Sequence, residues 1–101
     1  MQTRREIEIE ASPEEVWEAL ATEEGRETWL EDEPARELIV ETLEEPHRLV
    51  WWWWTEDAPA TRVEVLVVAA PAGSRVIVVE SEPSLPLPAL QARFAPTLAY
   101  A

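Results

Sequence analysis

The segment Arg48-Leu49-Val50-Trp51-Trp52-Trp53-Trp54-Thr55 decides how this chain folds, because it places four consecutive tryptophans in a stretch with the composition of a β-strand. Successive side chains of a strand point to opposite faces of the sheet, so two of the four indoles lie on each face. A strand with one face in water alternates apolar and polar residues, and this segment does not. It therefore predicts a sheet that is covered on both faces, either by this chain or by another molecule.

The length and composition of the chain limit what the rest of it can build. Its 101 residues predict a single domain over residues 1–101, and an apolar content of 47% is enough for one packed core. No apolar run is long enough to cross a bilayer, and residues 1–5 lack the apolar stretch of a secretory signal. Together with the absence of cysteine, this predicts a soluble protein of the cytoplasm. The formal charge of −13 repels phosphate backbones and anionic lipid, so neither nucleic acid nor membrane is a predicted partner.

Local patterns predict the elements before the tryptophan strand. Isoleucines alternate with glutamates over residues 5–10, which is typical of a strand with one wet face. Ser12, Pro13 and Glu15 form a capping box that opens a helix over residues 13–21. A second short helix is predicted over residues 23–30.

Turn residues divide the remainder of the chain into strands and one closing helix. Strands are predicted at residues 36–43, 48–55, 61–70 and 74–81, in an antiparallel meander whose short turns contain Pro46, Pro59 and Gly73. Leu87, Leu90, Phe94 and Leu98 recur at helical spacing. They predict a C-terminal helix that begins near Pro88 and is ended or kinked by Pro96.

Several of these segments resemble a known family, the heat-shock-protein ATPase activator-homologue branch of the START and polyketide-cyclase (SRPBCC) superfamily. The residues that carry the resemblance are Ala11-Ser12-Pro13-Glu14-Glu15-Val16-Trp17-Glu18-Ala19-Leu20, Trp29, Glu45-Pro46-His47-Arg48-Leu49-Val50-Trp51-Trp52-Trp53 and Gly73-Ser74-Arg75-Val76-Ile77-Val78. The resemblance implies an α+β helix-grip fold, in which a bent antiparallel sheet wraps a C-terminal helix and two short helices close one end, commonly around an apolar ligand cavity. The family has a further β-hairpin before the strand at residues 36–43. Its absence here predicts about five strands and a new sheet edge at residues 36–43.

The fold implied by the resemblance assigns each indole of the tryptophan segment to a face. Leu49, Trp51 and Trp53 then point into the concave face, toward the C-terminal helix. Residues predicted to line a ligand pocket there are Trp17, Trp29, Leu38, Val40, Trp51, Trp53, Val65, Val78, Leu90 and Phe94. Core packing is the alternative interpretation of this set, and for Trp17 and Trp29 it is the favoured one.

The opposite, convex face is predicted to be unusually apolar. Two tryptophans alone expose about 300 to 500 Å² of apolar accessible surface there, which already matches the largest apolar patch of a typical monomer. This predicts a homodimer through the convex face. The interface candidates are Ile39, Trp52, Trp54, Leu66, Val68, Ile77 and Val79.

The sequence shows no constellation of catalytic or metal-binding residues. His47 is the only histidine and lies in a proline-containing turn, which predicts a solvated loop residue. Residues 31–33 are acidic but lack the spacing of a calcium loop, so no metal or cofactor is predicted. Glu80 is a further candidate, and three roles are open for it: a structural carboxylate paired inside the concave face with a residue such as Arg93, a catalytic acid, or an exposed group at the strand end.

Three functional hypotheses follow from these observations. The favoured one is a small non-catalytic START-like domain that binds an apolar small molecule between sheet and C-terminal helix. A protein-interaction or chaperone-associated domain with a filled cavity is the second. An enzyme of the polyketide-cyclase kind is the third and the least supported, because no acid and base pair is visible.

Overall fold

The structure is a computed structural model that describes residues 2–30, 37–82 and 85–94. Five strands are present in the described ranges: β1 (Thr3–Ile9), β2 (Glu37–Glu44), β3 (Arg48–Thr55), β4 (Ala58–Ala70) and β5 (Gly73–Glu80). Three helices accompany them: α1 (Pro13–Ala21), α2 (Glu23–Glu27) and α3 (Leu87–Arg93). This confirms the predicted α+β class with about five antiparallel strands. Pro96, the predicted end or kink of the C-terminal helix, and Leu98, part of its predicted spacing, lie outside the described residues.

The five strands form one antiparallel sheet in the order β1-β5-β4-β3-β2. After β1 the chain passes through α1 and α2 and starts β2 at the opposite edge of the sheet. It then returns strand by strand as a meander, so that β5 pairs with β1. Within the described sheet, β1 and β2 are therefore the two edges.

The helix α1 begins where the capping box predicts. The Glu15 amide donates to Ser12 Oγ at 3.3 Å, and the Ser12 amide donates to Glu15 Oε1 at 3.3 Å. The buried side of α1 consists of Val16, Trp17, Ala19 and Leu20, and the helix packs on β4 and β5. These contacts cover the concave face of the sheet with a helical layer.

The helix α2 is shorter than predicted and ends at Glu27 rather than at residue 30. The Thr28 amide donates to the Gly25 carbonyl three residues back, which tightens the last turn. Trp29 is nevertheless buried, because its indole Nε1 donates to the Ala19 carbonyl at 2.7 Å. This tertiary hydrogen bond ties the chain after α2 to α1. None of the helices in the described ranges is long and apolar enough to span a membrane.

The strand β4 begins at Ala58, three residues before the predicted start at Thr61. Glu56 and Asp57 alone form the turn, and Thr55 pairs with Ala58 across it. Pro59 is compatible with the strand because it lies beside a register shift in the β3–β4 pairing, where a missing amide donor is tolerated.

The core lies between the concave face of the sheet and the three helices. Trp51 and Trp53 are both buried there, with ring centroids 5.6 Å apart and an interplanar angle of 65°. This edge-to-face geometry is a preferred arrangement of aromatic pairs. The remaining buried members of the core are Ile9, Val16, Trp17, Ala19, Leu20, Trp29, Leu49, Val63, Val65, Val67, Val76, Val78, Leu85, Leu87 and Leu90.

The start of β5 is tied to the end of β1 at Gly73. Gly73 has a φ of +139°, and a Cβ at this position would lie 2.6 Å from the Ala11 carbonyl oxygen. The next residue, Ser74, is buried and donates from Oγ to the same carbonyl at 2.7 Å. Only glycine satisfies both the backbone angle and this close approach.

We expect Gly73→Ala to lower the free energy of unfolding by about 2 kcal/mol or more, because it combines a disfavoured φ with a backbone clash. Urea unfolding followed by tryptophan fluorescence measures the change. Ala72→Gly, an exposed position in the same turn, is the control and should cost no more than about 1 kcal/mol. Equal losses for the two variants would contradict the assignment.

Candidate functional site

The predicted pocket residues lie mostly in the packed core. Trp17, Trp29, Trp51, Trp53, Val65, Val78 and Leu90 are buried members of the core cluster, and Leu38 and Phe94 are partly buried against it. Val40 differs, because it is 40% exposed on the edge strand β2. Four clefts lined by described residues open to solvent, and one of them borders α3 at Pro86, Ala89, Ala92 and Arg93. The pocket assignment itself stays a prediction.

Two buried side-chain nitrogens, Trp51 Nε1 and Arg5 Nε, have no hydrogen-bond partner among the described residues. Of the two residues, Trp51 belongs to the core cluster. A buried donor without a partner costs about 1 to 3 kcal/mol. The indole of Trp51 is therefore the place in the core where a hydrogen-bond acceptor would be most favourable.

Glu80 points into the concave face and is fully buried. It accepts a hydrogen bond from Arg5 Nη2 on β1 and another from the Leu85 amide at 2.7 Å. Arg5 Nη2 also donates to the Leu85 carbonyl at 2.8 Å, so the pair fixes the chain after β5 against β1. These contacts tie the buried Glu80 carboxylate to β1 and to the chain that follows β5, as in the structural role considered for it.

The suggestion that a residue such as Arg93 pairs with Glu80 was wrong for Arg93, because Arg93 contacts Thr28 instead. Arg93 Nε donates to Thr28 Oγ1 at 3.0 Å, and its guanidinium lies 5.1 Å from the centroid of the Phe94 ring. Arg5 takes the place of Arg93 because β1 pairs with β5 in a register that puts the two strand ends together.

His47 lies exposed in the turn between β2 and β3, as predicted for a solvated loop residue. Its amide donates to the Glu44 carbonyl, and its carbonyl accepts from the Val67 amide. Over residues 2–30, 37–82 and 85–94, no group of three or more acidic or histidine side chains is placed to hold a metal ion. The acidic segment at residues 31–33 lies outside the described residues.

The convex face of the sheet exposes several large apolar side chains. Ile39 is 59% exposed, Val68 39% and Trp52 36%. Trp54, Leu66, Ile77 and Val79 are half-buried. Every interface candidate therefore keeps part of its surface in contact with solvent.

Val50 also lies on the convex face, yet it is fully buried without belonging to the core cluster. Its cross-strand partners are Glu64 and Thr42, and Arg48 and Trp52 flank it along β3. Larger side chains on the convex face thus surround this valine.

The charges on the convex face are paired with one another. Arg48 Nε lies 2.7 Å from Glu64 Oε2, and Arg75 Nη2 lies 2.9 Å from Glu8 Oε2. The remaining pairs are Arg48 with Glu44, Arg62 with Glu41 and Glu64, Arg75 with Glu6, and Arg4 with Glu6. Four of the eight arginines lie here, so the convex face is nearly balanced in charge although the chain carries −13.

The Trp52 indole takes part in this network. Its Nε1 donates to Glu41 Oε1 at 2.7 Å, and Glu41 Oε2 lies 3.6 Å from Arg62 Nη2. The hydrogen bond from Trp52, assisted by the charge of Arg62, lowers the pKa of the Glu41 carboxyl. The hydrogen bonds that Arg48 donates to Glu64 and Glu44 raise the pKa of its guanidinium, and the hydrogen bond that Arg75 donates to Glu8 raises the pKa of Arg75. The charged groups around Trp52 are thus held in place by specific contacts.

The Glu41 contact depends on an irregularity that the sequence did not reveal. The β2–β3 register shifts between Val40 and Thr42, which leaves Glu41 as the extra residue of a β-bulge. Because of the bulge, Leu38, Val40 and Leu43 all pair with core-facing residues of β3. These three side chains form an apolar row along the open edge of the sheet.

Comparisons with known proteins support the fold. No family model matches the chain, and no curated protein matches it significantly. Among solved structures, protein CV1439 from Chromobacterium violaceum superimposes with a TM-score of 0.72 at 14% identity, over 94% of this chain and 98% of that one. An Aha1 dimer from Colwellia psychrerythraea superimposes with a TM-score of 0.67 at 17% identity, over 99% of this chain and 92% of that one. DynU16, from the dynemicin biosynthetic locus, superimposes with a TM-score of 0.67 at 19% identity, over 84% of this chain and 38% of that one. At these identities the likeness is one of fold, and it is consistent with the helix-grip fold.

We expect Arg5→Met to lower the free energy of unfolding by about 3 kcal/mol, because it leaves the buried Glu80 carboxylate without its ion pair. The double variant Arg5→Met/Glu80→Met should recover most of that loss, since it removes both charges. Urea unfolding of the two single variants and the double variant measures the coupling. Additive losses would contradict a direct interaction between the two side chains.

We expect Trp52→Phe to raise the pKa of Glu41 toward the ordinary value of a glutamate, because the indole donor is lost while the ring remains. A lowered pKa stabilises the fold at pH values above the ordinary glutamate pKa, and this stabilisation disappears as the pH falls through the lower, folded value. Carbon-detected NMR titration of the Glu41 carboxyl tests the shift. An unchanged pKa in the variant would show that the hydrogen bond does not set it.

Proposed function

We propose that this chain is a non-catalytic interaction domain of the helix-grip kind that forms a homodimer through the convex face of its sheet. The proposal rests on two features of the convex face that occur together around Trp52, namely exposed apolar side chains and paired charges. Large apolar side chains are exposed there, and the charges between them are already neutralised by partners on the same face.

The distribution of charge favours the convex face over the helical side of the molecule as the contact surface between two copies. The helices α1 and α2 carry six glutamates against one arginine, Arg26. A second copy of the chain would be repelled by that side and not by the balanced convex face. Packing two convex faces would leave both helical layers in solvent.

The geometry of a sheet suits a two-fold contact. Two sheets that pack face to face lie about 10 Å apart, and a two-fold axis lets the same patch serve both copies. Ile39 and Trp52, which are cross-strand partners, would supply one apolar part of the contact, and Val68, six residues along β4 from the partner of Trp52, would supply a second. The paired arginines lie between and around them. Aromatic and arginine side chains are the residue types enriched in such interfaces.

The fold comparison is compatible with the proposal. One of the structures with the same fold is described as a dimer, the Aha1 dimer of Colwellia psychrerythraea. An ATPase-activator role, implied by the sequence resemblance, would likewise use the domain as an interaction module. Neither point identifies a further protein partner for this chain.

A second candidate function is the binding of an apolar small molecule between the sheet and α3. The unpartnered Trp51 Nε1 favours it, because a ligand with one acceptor atom would satisfy that buried donor. The packed core disfavours it, because a ligand would have to displace side chains. Native mass spectrometry of freshly purified protein separates the two candidates, since a bound small molecule adds its own mass to the chain.

We expect light scattering at micromolar concentration to give twice the 11.5 kDa mass of one chain. Ile39→Glu combined with Val68→Glu should weaken the dimer at least tenfold, because it places an unpaired charge in each of the two exposed apolar parts of the interface. The matched control is Val40→Glu, the neighbouring exposed valine on the opposite face of β2. It should remain dimeric. A monomeric wild-type protein, or equal weakening by Val40→Glu, would contradict the proposal.

A further inference from the structure

A groove runs beside the edge strand β2 on the concave side of the sheet, between that strand and the helices α1 and α2. We call it the edge groove. It contains two clefts, one of about 380 Å³ and one of about 370 Å³. The first is lined by Glu14, Trp17, Glu18, Ala21, Thr22, Leu43, Glu45 and Pro46, and the second by Glu23, Arg26, Glu27, Leu30, Glu37, Leu38 and Trp53.

The floor of the edge groove is apolar. Trp17 and Leu43 contribute to the first cleft, and Trp53 and Leu38 to the second. Val40 lies between Leu38 and Leu43 on the same side of β2. Leu43 is 56% exposed and Val40 is 40% exposed, although both pair with fully buried residues of β3. This apolar row is therefore uncovered at the point where the core reaches the edge of the sheet.

The rim of the edge groove is acidic. Glu14 and Glu18 on α1 and Glu23 and Glu27 on α2 line one wall, each pair four residues apart on its helix. Glu45 directly follows β2 and borders the first cleft, and Glu37 begins β2 and borders the second, although its register partner is Trp54 of the convex face. Within the described part of the chain, none of these six carboxylates has an arginine nitrogen within 4.0 Å. They differ in this respect from the carboxylates of the convex face.

Among the described residues that line the edge groove, Arg26 is the only arginine, and it is engaged with the backbone. Arg26 Nη1 donates to the Leu20 carbonyl at 3.0 Å, and burial lowers the pKa of its guanidinium. Six carboxylates against one guanidinium leave the groove strongly negative. A bound partner must therefore carry positive charge, and this excludes a second copy of the chain, whose charge is −13.

The spacing of the two clefts favours a polypeptide. Leu38 and Leu43 pair with Trp53 and Leu49, which are four positions apart on β3, so the bulge places both side chains on one face about 13 Å apart along the strand. Two apolar clefts at that separation, with exposed Val40 between them, suit alternate side chains of one extended segment, which lie on the same face of that segment. The outer edge of β2 also has no pairing strand within the described sheet, so it offers backbone donors and acceptors to such a segment.

We propose that the edge groove binds a basic segment of a partner protein. Apolar side chains of the segment enter the two clefts, and its lysines and arginines face the unpaired carboxylates of α1 and α2. This site lies on the opposite side of the sheet from the convex face, so it operates whether or not the chain dimerises.

Fluorescence anisotropy with labelled octapeptides tests the proposal on the intact chain. The probe KLKVRLKK carries apolar residues at alternate positions, so that in an extended conformation all three face the row formed by Leu38, Val40 and Leu43. The acidic peptide ELEVELEE and the polar basic peptide KSKSRSKK are its controls. We expect the probe to bind at least tenfold more tightly than either control, and to weaken as the ionic strength rises from about 0.05 to about 0.5 M.

Two matched variants of the protein locate the binding site. Glu14→Gln/Glu18→Gln/Glu23→Gln/Glu27→Gln removes the carboxylates of the helical wall and should weaken the probe about tenfold or more. Glu10→Gln/Glu24→Gln/Glu56→Gln/Asp57→Asn removes the same number of charges at positions that line neither cleft, and should change the affinity less than threefold. Circular dichroism verifies that both variants are folded. Equal losses in the two variants, or equal binding of KSKSRSKK, would overturn the proposal in favour of non-specific charge attraction.

Discussion

The pleat of strand β3 is the constraint on which the rest of this structure depends. Successive side chains leave a strand on opposite sides, so four consecutive tryptophans cannot share one environment. Trp51 and Trp53 fill the concave side, where they pack edge to face under the helical layer. Trp52 and Trp54 are left on the convex side, outside the core. The size of the core and the apolar character of the outer face are thus two consequences of one segment.

Charge is distributed over the molecule in a way that separates its surfaces. On the convex face each arginine lies beside a carboxylate, and Trp52 itself donates to one of them. In the edge groove the carboxylates of α1 and α2 have no such partners within the described residues, although an apolar row lies below them. A balanced apolar face favours contact with an identical copy, whereas an unbalanced acidic groove favours a basic partner. The same net charge therefore has opposite consequences on the two sides of the sheet.

Features that depend on near neighbours in the chain could be predicted from the sequence. The capping box of Ser12 and Glu15, the alternation in β1 and the division of the tryptophans are of this kind. Features that depend on distant contacts could not. Glu80 pairs with Arg5 because β1 and β5 are adjacent, which no local pattern indicates. The bulge at Glu41 and the approach of α1 to Leu43 likewise follow from how β2 lies at the sheet edge, so the edge groove was not predicted.

The central claim is that Trp51 and Trp53 are buried in the core of each chain, whereas Trp52 and Trp54 are covered by a second copy of the chain. Fluorine NMR of protein labelled with 5-fluorotryptophan, with a soluble paramagnetic probe added at low and high protein concentration, measures this directly. Trp51 and Trp53 should resist broadening at every concentration, whereas Trp52 and Trp54 should be broadened in dilute solution and protected in concentrated solution. Broadening of Trp52 that does not change with protein concentration, or broadening of Trp51, would contradict the account.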